Sequence, residues 1–408
     1  MRTLKIAHFH PCSLKHEEMS QLPEDVTVDI LCRLPVKDLV RFKAVSPRWR
    51  ALIESSEFAK LHLNRSIQTR ANLGLILRDE HLHAVDFDSL DGTVQAVELH
   101  YHPLRCQDYS TKVWGSCNGI ICLSNSFDSV VLWNPSTRKY RKLPDSSVEL
   151  EEKWRYYENR IYGFGYDSVS DDYKVVRIVM LEGMHDDESF HYEAKAYSLK
   201  ANSWHRVGKF PHHPHLKRTG GVLVKGALHW VVNEEPQISR AGLIVAFDLG
   251  CEGYRLVPQP EYSDLNFLMN VERLGECLSV VCYYYYCKHV HVWVMNGYGV
   301  KESWTKLISV NEQSVIRYMQ FVRPVGYSKN GEEVLLQLDG TRLLWYDLKR
   351  NQGRQVKIRG LQELMQVEMC VGTLVSLDDG GEGNGKKQQE QEDRNMGNFL
   401  SNGFKLVL

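Results

Sequence analysis

Between Leu22 and Asn64 the apolar residues fall at helical spacing, with charged residues filling the gaps. Val26, Ile30 and Leu34 recur every fourth position and Leu31 widens the stripe, which predicts a first helix beginning at Pro23. Proline is suited to that start because its missing N–H costs nothing there. Glu24 and Asp25 follow in the turn whose positive end favours carboxylates. Pro35 stops the helix. A second short helix, from Val36 to about Ala44, offers Val36, Leu39, Val40 and Phe42 on its apolar side and leaves Lys37, Asp38, Arg41 and Lys43 to water. Ser46 followed by Pro47 is an N-cap before a proline at the first helical position, opening a third helix with Trp49, Leu52 and Ile53. A module of about 45 residues cannot enclose all these side chains, so some are left to face a partner.

Beyond about Ser66 the period changes. Short runs rich in Val, Ile, Leu, Tyr and Trp alternate with Gly, Asn, Asp and Pro turns every ~8–12 residues, the texture of an all-β body. A looser repeat overlies it. Apolar or aromatic strands run into turns at Asp86, Asn134, Ser198, Asp248, Met295 and Asp347, at intervals of 48, 64, 50, 47 and 52 residues. Several are followed by a second strand with an aromatic residue and a base, as in Tyr140-Arg141, Trp204-His205-Arg206, Tyr254-Arg255 and Trp304-Thr305-Lys306. A spacing near 50 is that of a kelch-like blade, whose four antiparallel strands cover both faces only by stacking around an axis. The expected fold is α+β and multidomain: three helices, then an all-β, kelch-like propeller of six irregular blades. The double glycine of a kelch unit is not regular here, which leaves a pair of irregular β-sandwiches as the alternative.

Composition narrows the class of partner. The chain has 408 residues, 50 Lys and Arg against 51 Asp and Glu, and a formal net charge of −1, so it lacks the basic excess of a nucleic-acid binder. No apolar run approaches the ~18 residues of a membrane span, and residues 1–19 lack the continuous apolar stretch of a signal peptide. Ten scattered cysteines read as reduced thiols, which sets the expected location as cytosol or nucleus.

The helical segment resembles an F-box. The resemblance rests on the Leu22-Pro23 opening, Ile30-Leu31, Leu34-Pro35, Leu39, Arg41-Phe42-Lys43, and Val45-Ser46 leading to Arg48-Trp49. It implies docking onto a Skp-type adaptor, held in turn by cullin and RING subunits, through Leu22, Pro23, Ile30, Leu31, Leu34, Pro35, Leu39, Phe42, Val45 and Trp49. The body resembles the F-box-associated domain of plant F-box and F-box/kelch proteins. Those residues are Gly115 to Leu123, Trp133 to Lys139, Gly163-Phe164-Gly165-Tyr166-Asp167, Asp171 to Val176 and Gly226-Ala227-Leu228-His229-Trp230. The implied layout is a flexible N-terminus at 1–19, an F-box at 20–66, the β domain at 67–377, a low-complexity segment at 378–396 and an apolar terminus at 397–408.

Several patterns invite a catalytic or metal reading and fall short of it. Gly380 to Lys386 has phosphate-loop spacing, but Lys387 stands where a Ser or Thr would hold magnesium. Cys282, Cys287, His289 and His291 carry zinc-capable atoms, yet along one continuous strand Cys282 points away from the other three. His212, His213 and His215 read as a solvated loop, and Gly163-Phe164-Gly165 as a turn. No cofactor, metal or catalytic residue is therefore expected.

The function expected is the noncatalytic substrate-recognition subunit of an SCF-type ubiquitin ligase. The alternatives are a β-propeller enzyme acting on a sugar or small molecule, and a Skp-binding regulator outside a ligase. Loops at Trp154 to Tyr157, Met184 to Glu188 and His212 to His215 are candidates for substrate contact. Lys405 to Leu408 is apolar enough to pair back onto the body, with the 71–77 segment as the N-terminal candidate for closing the ring; a disordered tail is the alternative.

Overall fold

The computed structural model describes residues 22–105, 111–125, 129–148, 154–183, 190–214, 220–234, 242–284, 289–310 and 321–377. Its N-terminal part is four helices: α1 (Glu24–Cys32), α2 (Val36–Phe42), α3 (Pro47–Glu54) and α4 (Ser56–Thr69). The Ser46 side chain accepts a hydrogen bond from the Trp49 N–H at 3.1 Å, as the cap reading requires. The fourth helix is a correction to the expected three. Its buried face contains His62 and Ser66 beside Phe58, Ala59 and Leu63, so polar residues interrupt the stripe that would have announced it. Each finds a partner inside: His62 Nε2 lies 2.9 Å from the Leu34 carbonyl, its buried Nδ1 having no partner among the described residues, and Ser66 Oγ accepts from Asn72 at 2.8 Å. Ser55 caps the start of α4, and Arg70, in the left-handed region at φ 52°, ends it.

Six antiparallel blades follow, numbered in chain order. From the axis outward, blade 1 is Gln366–Val371, Leu73–Arg78, Leu82–Asp86 and Val97–Glu98. Blade 2 is Lys112–Cys117, Ile120–Ser124, Val130–Trp133 and Tyr140–Lys142. Blade 3 is Trp154–Asp167, Asp172–Gly183, Phe190–Ser198 and Ser203–Arg206. Blade 4 is His213–Pro214 and Val222–Val224, both on Ala227–Asn233, then Leu243–Asp248 and Tyr254–Leu256. Blade 5 is Leu268–Leu274, Cys277–Tyr284, His289–Met295 and Trp304–Val310. Blade 6 is Val322–Tyr327, Glu333–Leu338, Arg342–Asp347 and Gln352–Arg359, extended by a parallel strand, Thr93–Gln95, lent by blade 1. Six apolar clusters fill the six gaps between neighbouring blades, including those between blades 6 and 1 and between 1 and 2, so the ring is closed by packing as well as by hydrogen bonds.

The six turn-entry residues read from the sequence end, or directly follow, the third strand of each blade. Their chemistry explains the repeat. Asp248 Oδ1 accepts the N–H groups of Gly250 and Cys251, Asp347 Oδ1 those of Lys349 and Arg350, and Asn134 Oδ1 those of Ser136 and Thr137.

Four further expectations are corrected. Gly163-Phe164-Gly165 lies within a strand, not a turn: a Cβ on Gly163 would meet Leu228 at 2.8 Å and one on Gly165 would meet Leu223 at 2.6 Å, so the glycines allow blade 4 to close on blade 3. Trp154 to Tyr157 is also strand, with Trp154, Arg155 and Tyr156 in register with Gly183, Glu182 and Leu181. His213 is not in a solvated loop, since it pairs with Asn233 and its Nδ1 lies 2.9 Å from the Tyr192 hydroxyl. Cys282 and His291 are direct cross-strand partners and so share a face, because they lie on two paired antiparallel strands and not on one continuous strand. Cys287, His215, Met184 to Glu188 and the segments beyond Leu377 lie outside the described residues. Among the described residues no cluster of three or more metal-capable side chains forms, and no helix is long and apolar enough to cross a membrane.

Candidate functional site: a helical docking face and an axial channel

The apolar stripe of α1 divides. Leu31 and Cys32 turn into a core with Val36, Leu39, Ile53, Phe58, Ala59 and Leu63. Val26 and Ile30 instead face water, as do Leu22, 58% exposed, and Val45, 60% exposed, in the α2–α3 turn. Of the ten residues expected at the adaptor interface, Leu22, Pro23, Ile30, Pro35 and Val45 are exposed, and Leu34, Phe42 and Trp49 are half-buried. Leu31 and Leu39 are fully buried, so they hold the face up from behind. Phe42 and Trp49 pack with ring centroids 5.6 Å apart and join α2 to α3. A 3.5 Å ion pair between Arg48 and Glu24 sets the start of α3 beside the start of α1. Val26 was in the apolar stripe of the sequence but not among the interface residues; helical periodicity marks a face as apolar without saying which part of it stays uncovered.

The module is fastened to the propeller. Leu374, in the segment after the last strand, is buried in the helical core itself. That segment is fixed in turn by Asn134, whose Nδ2 donates to the Thr373 and Val375 carbonyls at 3.2 and 2.9 Å, and by Arg141, which donates to Leu377 O at 3.2 Å. Arg70, at the end of α4, donates to the Tyr327 and Ser328 carbonyls of blade 6, and Lys60 pairs with Asp171 of blade 3 at 3.0 Å.

An axial channel of about 1040 Å³ runs through the ring. Ile67, Gln68 and Arg70 line it at the helical end, with Asn118, Gly275 and Tyr327. Its middle is crossed by a charged network: Arg323 Nε donates to Glu272 at 2.8 Å, its Nη2 to Glu368 at 3.1 Å, and its Nη1 to the Val367 carbonyl. Burial by itself would lower the Arg323 pKa, but the two carboxylates outweigh that and raise it above the ordinary arginine value. This arrangement ties the inner strands of the neighbouring blades 5, 6 and 1 together beside the axis.

The chain is thus a four-helix module with an uncovered apolar face, mounted on a closed six-bladed propeller. Residues 19–61 match the model of the F-box domain and residues 73–371 that of the F-box associated beta propeller domain. The chain therefore belongs to the F-box proteins that carry an F-box-associated propeller. It is 38% identical to the F-box protein CPR1 of Arabidopsis thaliana, over 96% of this chain and all of that one. An F-box/kelch-repeat protein of the same plant is 33% identical, over 78% of this chain and 85% of its own length. Among solved structures, an oligogalacturonate lyase from Vibrio parahaemolyticus aligns with a TM-score of 0.40 at 10% identity, over 68% of this chain and 71% of that one, a level from which no function follows.

Proposed function

We propose that this protein is the substrate-recognition subunit of an SCF-type ubiquitin ligase, bound to a Skp-type adaptor through its helices and to a protein substrate through its propeller. The observation that carries the reading is the uncovered apolar face of Leu22, Val26, Ile30 and Val45 on a module whose core is already filled by its own apolar residues together with Leu374. Pro23, Leu34, Pro35, Phe42 and Trp49 complete the docking surface, while Leu31 and Leu39 support it. The adaptor links the chain to cullin and RING subunits. Rate enhancement then comes from holding substrate lysines near the ubiquitin-charged enzyme, and this chain contributes no nucleophile.

The test compares variants of exposed and buried residues. Ile30→Asp and Val45→Asp place a charge at a desolvating interface and should cost about 2 kcal/mol or more of adaptor affinity with an unchanged melting transition. Leu39→Ala should destabilise the helices first, by about 2–5 kcal/mol. Adaptor affinity retained in both aspartate variants would remove this face from consideration.

A further inference from the structure

The charges along the channel are not all matched. Mid-channel Arg323 is saturated by two carboxylates and a carbonyl, and Arg273 pairs with Glu276 at 2.5 Å. The end remote from the helices differs. Leu73–Arg78 leads away from α4, and at about 3.4 Å per residue it places Arg78 about 17 Å beyond the helical mouth. There Arg78, Lys112 and Gln366 line the channel together. Gln366 joins them: its Oε1 accepts from Arg78 Nε at 3.3 Å and its Nε2 donates to Val113 O at 2.7 Å, beside Lys112.

Neither cation has a carboxylate within ion-pair distance among the described residues. Burial lowers the Arg78 pKa from its ordinary value, and the neighbouring Asp79 offsets this only in part. Asp79 is itself occupied by the His81 and Gln362 N–H groups and by His83. Among the described residues the terminal nitrogens of Arg78 have no protein acceptor, and the contact of Lys112 is with the Trp114 ring, at 5.9 Å. Trp114, Phe321 and Met365 add apolar wall to the same end. A partly desolvated guanidinium and an ammonium with open donors, on the wall of a cavity this large, are the complement of a negatively charged organic molecule.

We propose that the channel mouth remote from the helices binds a small organic anion bearing carboxylate or phosphate groups, held by Arg78 and Lys112, with Gln366 as the residue that positions Arg78. This site is independent of the adaptor face, so either assignment can fail without the other.

The test is thermal unfolding of the full-length chain with citrate or with pyrophosphate, ionic strength being held constant with sodium chloride. A ligand that binds only the folded state raises the melting temperature with its concentration. The wild type should respond to at least one of the two anions, and the stronger response tells carboxylate from phosphate chemistry. Lys112→Gln and Arg78→Gln should lose most of that response. Lys112→Gln without anion should melt with the wild type, since among the described residues the side chain has no hydrogen-bonded partner to lose. If Arg78→Gln does not fold, Lys112→Gln decides alone. No response to either anion, an equal response in wild type and Lys112→Gln, or a several-degree loss of stability in unliganded Lys112→Gln would each overturn the site.

Discussion

His229 sits fully buried in blade 4 between two partners, the Val222 carbonyl 3.0 Å from Nδ1 and the Tyr298 hydroxyl 2.7 Å from Nε2. Arg255 donates to that same hydroxyl oxygen, which leaves the Tyr298 O–H to donate to Nε2 and makes the neutral ring protonated at Nδ1. Burial pushes its pKa down to about 4, and that of His102 likewise. The unfolded chain, with ordinary histidines near 6.5, binds more protons below that pH than the fold does. This contribution to stability is therefore complete above about pH 6.5, shrinks as the pH falls toward about 4, and changes little below. Denaturant unfolding across that window should show the slope, and His229→Gln should flatten it; an unchanged slope would place the protons elsewhere. Gly119 makes a steric claim. It sits at φ +78°, and a methyl there would lie 2.2 Å from Val371 O and 2.4 Å from the Thr373 side chain. Gly119→Ala should cost at least about 1–3 kcal/mol, read as a lower melting temperature. The sequence announced the Asn118-Gly119 turn, whose residues both have positive φ. It could not announce the second demand on Gly119, because Val371 and Thr373 are remote in sequence. The burial of Leu31 and Leu39 beside the exposure of Ile30 was equally out of reach, since one stripe serves both the core and the surface.

The end of α4 and the segment 372–377 couple the two halves of the molecule. The sequence marked helices by period and blades by turn-entry side chains, and these local signals survive in the structure because local hydrogen bonds enforce them, as at Asp248 and Asp347. Coupling has no such signal: Leu374 looks like any loop leucine, although it completes the helical core. Leu374→Ala should therefore raise hydrogen exchange throughout α1 to α4, at a cost of about 2–5 kcal/mol to the module, while blade amides stay protected. If the helical amides keep wild-type protection, the contact is incidental. The same geometry bears on where the chain can be cut. A propeller fragment starting at residue 67 would begin inside α4, whereas one starting at Ala71 would keep all six blades and expose Leu374. The pattern at 282–291 failed for a related reason, because alternation along a line says nothing about a reversal, and the two strands there face each other.

Closure belongs to the whole molecule. The sequence placed the N-terminal half of the seam correctly at 71–77, and Leu73–Arg78 is the strand that receives it. Lys405 to Leu408 lies outside the described residues. Leu73–Arg78 is paired with Leu82–Asp86 on one side and with Gln366–Val371 on the other, so neither edge remains for a further strand. Gln366–Val371 was hard to recognise because it follows blade 6 yet belongs to blade 1, and a repeat read in chain order gives such a strand no place. The inner strand is also where the axis is stitched, since Arg323 binds both Glu368 and the Val367 carbonyl. Two truncations separate the alternatives. A chain ending at Leu377 retains the seam, the Asn134 and Arg141 clamps and Leu374, and should melt within about 1–2 °C of the full chain, the outcome when these contacts are what holds the ring. A chain ending at Met365 loses the inner strand of blade 1, opens the apolar clusters on both of its faces, and exposes one edge of Leu73–Arg78. It should lose cooperative unfolding and gain a tendency to aggregate through that free edge. A large drop already on ending at Leu377 would mean that the last 31 residues contribute to the fold, and that the seam at Gln366–Val371 is only part of what holds the ring.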